Sequence, residues 1–112
     1  MSIIQFSHAN GFPSQTYSVL FEQLKEHTIS AINILGEKTN SNEINYHDLT
    51  DEILESAGQF GESVIGIGHS LGGVLTLLAA AKKPEIFQYI ILLDPPLFSP
   101  YKRFLIKVLR AI

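Results

Sequence analysis

Ser70 stands at the centre of Gly68-His69-Ser70-Leu71-Gly72, a G-x-S-x-G pattern. An apolar run, Val64-Ile65-Gly66-Ile67, precedes it, and a second, Val74 to Ala81, follows. This order reads as strand, sharp turn, helix, with a serine at the turn. Such a turn strains the serine backbone and lifts its hydroxyl clear of the sheet, where it can act as a nucleophile. Gly68, Gly72 and Gly73 leave room for the helix to start close against the strand. Leu71, the residue after the serine, offers a backbone N–H to a developing oxyanion.

A second chemical segment lies near the N-terminus. Ile3-Ile4-Gln5-Phe6 is followed by Ser7-His8-Ala9-Asn10-Gly11-Phe12-Pro13. With the G-x-S-x-G turn, this loop resembles the α/β-hydrolase family, where an H-G-x-P-like loop after the third strand supplies an oxyanion donor. Here His8 to Pro13 is a longer variant of that loop. The resemblance implies Leu71 N–H as one donor and Phe12 or Gly11 N–H as the other. It favours Phe12, for which core packing under the loop is the alternative role. The same resemblance makes Gly68, His69 and Gly72 the elbow around the nucleophile, and gives His8 a structural role.

The acid and the base are harder to find. The family's chain order is Ser, then Asp or Glu, then His. All four histidines, His8, His27, His47 and His69, precede or adjoin Ser70, and none follows it. The chain therefore lacks the expected general base. His27 and His47 read as solvent-facing. Glu85 and Asp94 are the acids after Ser70; Glu85 reads as surface. Asp94 ends the fourth apolar run and is the candidate triad acid, with a turn residue before Pro95-Pro96 as the alternative. Gly66-Ile67-Gly68-His69-Ser70-Leu71-Gly72 also parses as a glycine-rich dinucleotide loop, with Asp94 on the ribose. Its spacing is not the standard fingerprint, and it leaves His8 to Pro13 unexplained.

These residues need a scaffold, and the periodicity supplies one. Strands are expected at Ile3–Ser7, Ile29–Leu35, Val64–Gly68 and Tyr89–Leu93. Tyr17, Leu20, Phe21 and Leu24 share one helical face, with Ser14 as a candidate cap. Tyr46, Leu49, Ile53 and Ala57 mark a second helix ending at Gly58 or Gly61, and Leu71–Lys83 a third, stopped by Pro84. Gly36–Asn42 reads as a loop. Alternating strands and helices imply an α/β fold with a mainly parallel four-stranded sheet covered on both faces. The resemblance makes these strands three to six of the family, in the order 4-3-5-6, so the fold is incomplete.

Length and composition set the remaining limits. A chain of 112 residues is one domain at most, about half of a full catalytic domain of this kind. Residues 1–100 are expected to form the partial core and 101–112 the start of a cap or lid helix. Phe104, Leu105, Val108, Leu109 and Ile112 share a face there, interleaved with Lys102, Arg103, Lys107 and Arg110; binding to a membrane surface is the alternative. The net charge of −3 argues against a nucleic-acid partner. There is no cysteine and no signal-peptide pattern, which suggests the cytoplasm. Ser63 to Ala81 carries no charge, but a buried strand and helix explain it better than a membrane span. No metal or cofactor is expected.

The functional expectation is a serine hydrolase acting on a small ester-like substrate, truncated and lacking the catalytic histidine. The alternative is an inactive fragment or pseudo-enzyme interaction module. The last strand, left unpaired, is expected to drive self-association.

Overall fold

The computed structural model describes residues 2–36 and 46–96. Residues 37–45, which include most of the expected loop, and 97–112, which include the expected cap helix, lie outside the described residues. Four strands form one parallel sheet: β1 (Ile3–Ser7), β2 (Thr28–Ala31), β3 (Val64–His69) and β4 (Phe87–Leu93). Their spatial order is β2-β1-β3-β4, which is the expected 4-3-5-6 in the family's numbering. Ile4 pairs with Ile29 on one side and Ile65 on the other, and Ile67 pairs with Ile91.

Among the described residues, three α-helices cover the sheet: α1 (Ser18–Gln23), α2 (Tyr46–Gly58) and α3 (Leu71–Lys82). On one face, Ile53, Leu54 and Ala57 of α2 and Leu75, Ala79 and Ala80 of α3 bury against Val64 and Phe87. On the other, Tyr17, Leu20, Phe21 and Leu24 pack over Ile4, Phe6, Ile65 and Ile67. Buried strands with helices on both faces explain why Val64 to Ala81 is apolar without spanning a membrane. No helix among the described residues is long and apolar enough to cross one.

Several boundaries differ from expectation. The first helix is a 3-10 turn, Ser14–Tyr17, followed by only six α-helical residues. Ser14 does not cap it. Pro13 holds the N-cap position, and the buried Ser14 hydroxyl donates instead to Ile32 O at 2.5 Å. Strand β2 stops at Ala31 because its paired stretch of β1 ends at Phe6. Beyond it, Asn33 O accepts Ser14 N–H and Leu35 N–H bonds His8, so the backbone is satisfied by loop partners rather than a ladder. Strand β4 begins at Phe87, two residues early, across an irregularity in register opposite Val64 and Ile65.

Among the described residues, the helical cover on the α1 face stops short of β4. Tyr89, Ile91 and Leu93, in register with Ile65, Ile67 and His69, remain 55%, 42% and 37% exposed.

Candidate active site

The topology creates a crevice where β1 and β3 lie side by side. The chain leaves β1 for β2 on one side, and later leaves β3 for β4 on the other. In open parallel sheets ligands bind at the carboxyl ends of strands at such a switch point. The loop His8–Pro13 follows β1 there, and Ser70 follows β3.

Ser70 has φ 53° and ψ −119°, sparsely populated for a non-glycine residue. It is the single residue between β3 and α3, held from one side by Ser70 N–H donating to Leu93 O at 2.9 Å. The turn needs its glycines. A Cβ on Gly68 would lie 2.3 Å from Gly72 O, and one on Gly72 would lie 2.2 Å from Ser7 O and 2.4 Å from His8 O. The start of α3 therefore sits directly on the root of the His8 loop. Leu71 N–H is the first of the helix and has no partner within it, so it is available to an anion.

The loop amides are arranged differently from expectation. Phe12 N–H closes a turn onto Ala9 O at 3.1 Å, with Gly11 at φ 82°. Gly11 N–H has no acceptor among the described residues. The Phe12 ring does not pack beneath the loop: it is 53% exposed, because the tight turn carries it outward.

His8 is buried and fully engaged. Its Nε2 accepts Leu35 N–H at 2.8 Å, and its Nδ1 lies 2.7 Å from Ala9 O. An amide only donates and a carbonyl only accepts, so His8 is neutral with its proton on Nδ1. His69 places Nδ1 2.8 Å from the Tyr17 hydroxyl. That hydroxyl also accepts Ala9 N–H at 2.9 Å. His27 is partly buried rather than solvent-facing, because its Nδ1 accepts Ser2 N–H at 3.1 Å. His47 is exposed beside Asp51, far in the chain from the loop and the elbow.

Asp94 follows Leu93, the residue that anchors Ser70 N–H. It is exposed, and its φ is 49°. Ser70 and Asp94 are the two non-glycine residues with positive φ among those described, and they end adjacent strands. Backbone strain of this kind clusters at functional sites.

Among the described residues, no group of three or more His, Asp or Glu side chains could hold a metal. A cavity of about 350 Å³ lies elsewhere, between β2 and α2, lined by Ser30, Ile32, Asn33, Glu52 and Ser56 among others. It includes neither Ser70 nor the His8 loop.

No protein-family model matches the sequence, and no curated protein matches it. Solved structures do. An N-formylmaleamic acid deformylase from Pseudomonas putida S16 superposes with a TM-score of 0.73 and 26% identity, over 86% of this chain and 39% of that one. A probable hydrolytic enzyme from Pseudomonas aeruginosa PAO1 gives 0.77 and 20%, over 91% and 35%. A monoacylglycerol lipase from Paleococcus ferrophilus gives 0.72 and 22%, over 98% and 47%. The chain has part of the α/β-hydrolase fold. It spans less than half the length of each of these proteins, and its four strands are a partial α/β-hydrolase sheet.

Sequence reasoning placed a strand-to-helix turn at Ser70 and a loop after Ser7, and the structure has both. It missed Tyr17, which it placed only on a helix face, and the two bonds that occupy His8. No local pattern marks either, since the Leu35 partner of His8 lies 27 residues away and Tyr17 lies 52 residues from His69.

Proposed function

We propose that this chain carries the nucleophile and the anion-stabilising half of a serine hydrolase site for a small ester-like substrate. The carrying observation is Ser70 at φ 53° as the single residue between β3 and α3. In this reading Ser70 Oγ attacks the acyl carbon. The Leu71 N–H and a loop amide, Gly11 or Phe12, stabilise the negative oxygen that forms. Gly68, His69 and Gly72 shape the elbow. Asp94, at the end of the neighbouring strand, is the candidate triad acid.

In this reading no histidine of these 112 residues serves as the base. Both ring nitrogens of His8 are engaged by the backbone, His69 Nδ1 is engaged by Tyr17, and no histidine follows Ser70. A serine without a base is a weak nucleophile. The chain alone should hydrolyse p-nitrophenyl esters slowly, keeping a residual ~10³–10⁴-fold acceleration over water while lacking on the order of 10⁶ of a complete triad. Turnover is compared between the chain and Ser70→Ala. A large Ser70-dependent rate would place a working base within the chain and overturn this assignment.

The missing base and the exposed Tyr89, Ile91 and Leu93 also favour a second reading, a non-catalytic interaction module. Under that reading Ser70 shows no selective reactivity toward acyl or phosphonyl reagents.

A further inference from the structure

Tyr17 belongs to neither motif, yet its hydroxyl stands between them. The oxygen accepts Ala9 N–H at 2.9 Å and lies 2.8 Å from His69 Nδ1. Ala9 is in the loop after β1, and His69 immediately precedes Ser70. The ring is fixed separately from the hydroxyl. It sits 4.5 Å from the Phe6 ring, tilted by 59°, and 5.6 Å from the His69 ring at 79°. On the β4 side, Ser70 is anchored through its own N–H to Leu93. On the β1 side, Tyr17 supplies the corresponding polar tie to the elbow.

The proton assignment follows from the partners. An amide can only donate, so the Tyr17 oxygen accepts from Ala9. Its own proton is then directed at His69 Nδ1, which accepts it in the Nε2–H tautomer. We propose that Tyr17 is a positioning residue for the Ser70 site: one hydroxyl ties the Ala9 amide of the loop to the His69 imidazole of the elbow and keeps the two sides of the oxyanion pocket in register. This rests on reading Ser70 as an acyl-transfer nucleophile. Tyr17 touches no reacting atom; it acts through Ala9 and His69. A role limited to packing α1 on the sheet would need only the ring.

Tyr17→Phe keeps the ring and removes the tie. The test uses the 112-residue chain, Tyr17→Phe and His69→Ala, each checked for a cooperative thermal transition. The first readout is the long-range ¹H–¹⁵N spectrum of the His69 ring together with the Ala9 amide resonance. The wild type is expected to show His69 with Nδ1 unprotonated. Tyr17→Phe should shift both the His69 Nδ1 and Ala9 signals, and His69→Ala should shift the Ala9 signal. The second readout is the rate at which excess alkyl fluorophosphonate modifies Ser70, followed by mass. In that reaction the Oγ–P bond forms, fluoride leaves, and the hydroxyl proton passes to solvent. Tyr17→Phe should slow modification by ~10- to 100-fold, the scale of a small misplacement of reacting groups.

An unchanged rate in Tyr17→Phe, with unchanged His69 and Ala9 signals, overturns the proposal. A wild-type His69 protonated on Nδ1 also overturns it. Absence of any Ser70 adduct in the wild type overturns the nucleophile reading instead, and the spectra then decide the tie alone. If Tyr17→Phe does not fold, the wild-type tautomer and the Ala9 shift in His69→Ala decide it.

Discussion

Ser70 holds a backbone conformation that costs a serine on the order of 1–3 kcal/mol, and the surrounding turn enforces it. Ser70→Gly should therefore raise stability by about 1 kcal/mol in urea titration while removing the hydroxyl. The flanking glycines have the opposite sensitivity. Gly72→Ala would push a Cβ to 2.2 Å from the Ser7 carbonyl oxygen, a backbone atom that cannot swing aside. It should cost ~3 kcal/mol or more, read as a fall in the urea midpoint or loss of the folded signal. His8→Ala should act on stability rather than chemistry. It leaves Leu35 N–H and Ala9 O without their imidazole partner, which costs about 1–3 kcal/mol. A catalytic His8 would instead show a loss of turnover with little change in the unfolding curve.

At the scale of elements, the packing of α2 and α3 on the sheet carries most of the core. Leu75 is fully buried, so Leu75→Ala should cost about 2–5 kcal/mol by chemical denaturation. The two helices are also linked at the surface by Lys82 and Asp51, 2.6 Å apart. The Lys82 hydrogen bond holds the Asp51 carboxyl below its usual 3.8. That contribution is present above the ordinary value and fades as the pH falls through the lowered one. Both side chains are substantially exposed, so Lys82→Met should cost only ~0.2–1 kcal/mol at neutral pH, a difference that vanishes in strong acid.

The element pattern was legible because α2, α3 and the strands follow simple apolar periods. Ile53 and Ala57, four apart, both face the core, and β3 is a continuous buried run. The short α1 and the early end of β2 were not legible. Both depend on Ser14, Asn33, Leu35 and His8 meeting across the top of the sheet. The elbow could be read because its close approaches need glycine within five residues. Tyr17 could not, because its hydroxyl partners come from the ends of two different strands, one of them 52 residues away, and its aromatic ring satisfied the helix pattern by itself.

At the scale of the molecule, β2 and β4 are the two edge strands of the sheet among the described residues. Among the described residues, strand β4 pairs on one side alone and carries exposed Tyr89, Ile91 and Leu93. Open apolar edges recruit other chains. Size-exclusion chromatography with light scattering should show species heavier than the 12.4 kDa chain, and Ile91→Lys should shift them toward the monomer. A wild-type monomer with a sharp thermal transition would mean that the exposed face of β4 is tolerated without a partner. We propose more narrowly that Ser70 is the nucleophile and that no histidine of these 112 residues serves it as base. The most direct measurement is the rate of Ser70 phosphonylation by an alkyl fluorophosphonate as a function of pH, with the adduct mapped by mass. The account predicts one adduct, at Ser70, whose rate climbs with hydroxide and shows no inflection near the ordinary histidine value of ~6.5. An inflection there would reveal a histidine base inside the chain, and equal labelling of Ser70→Ala would remove Ser70 as the nucleophile.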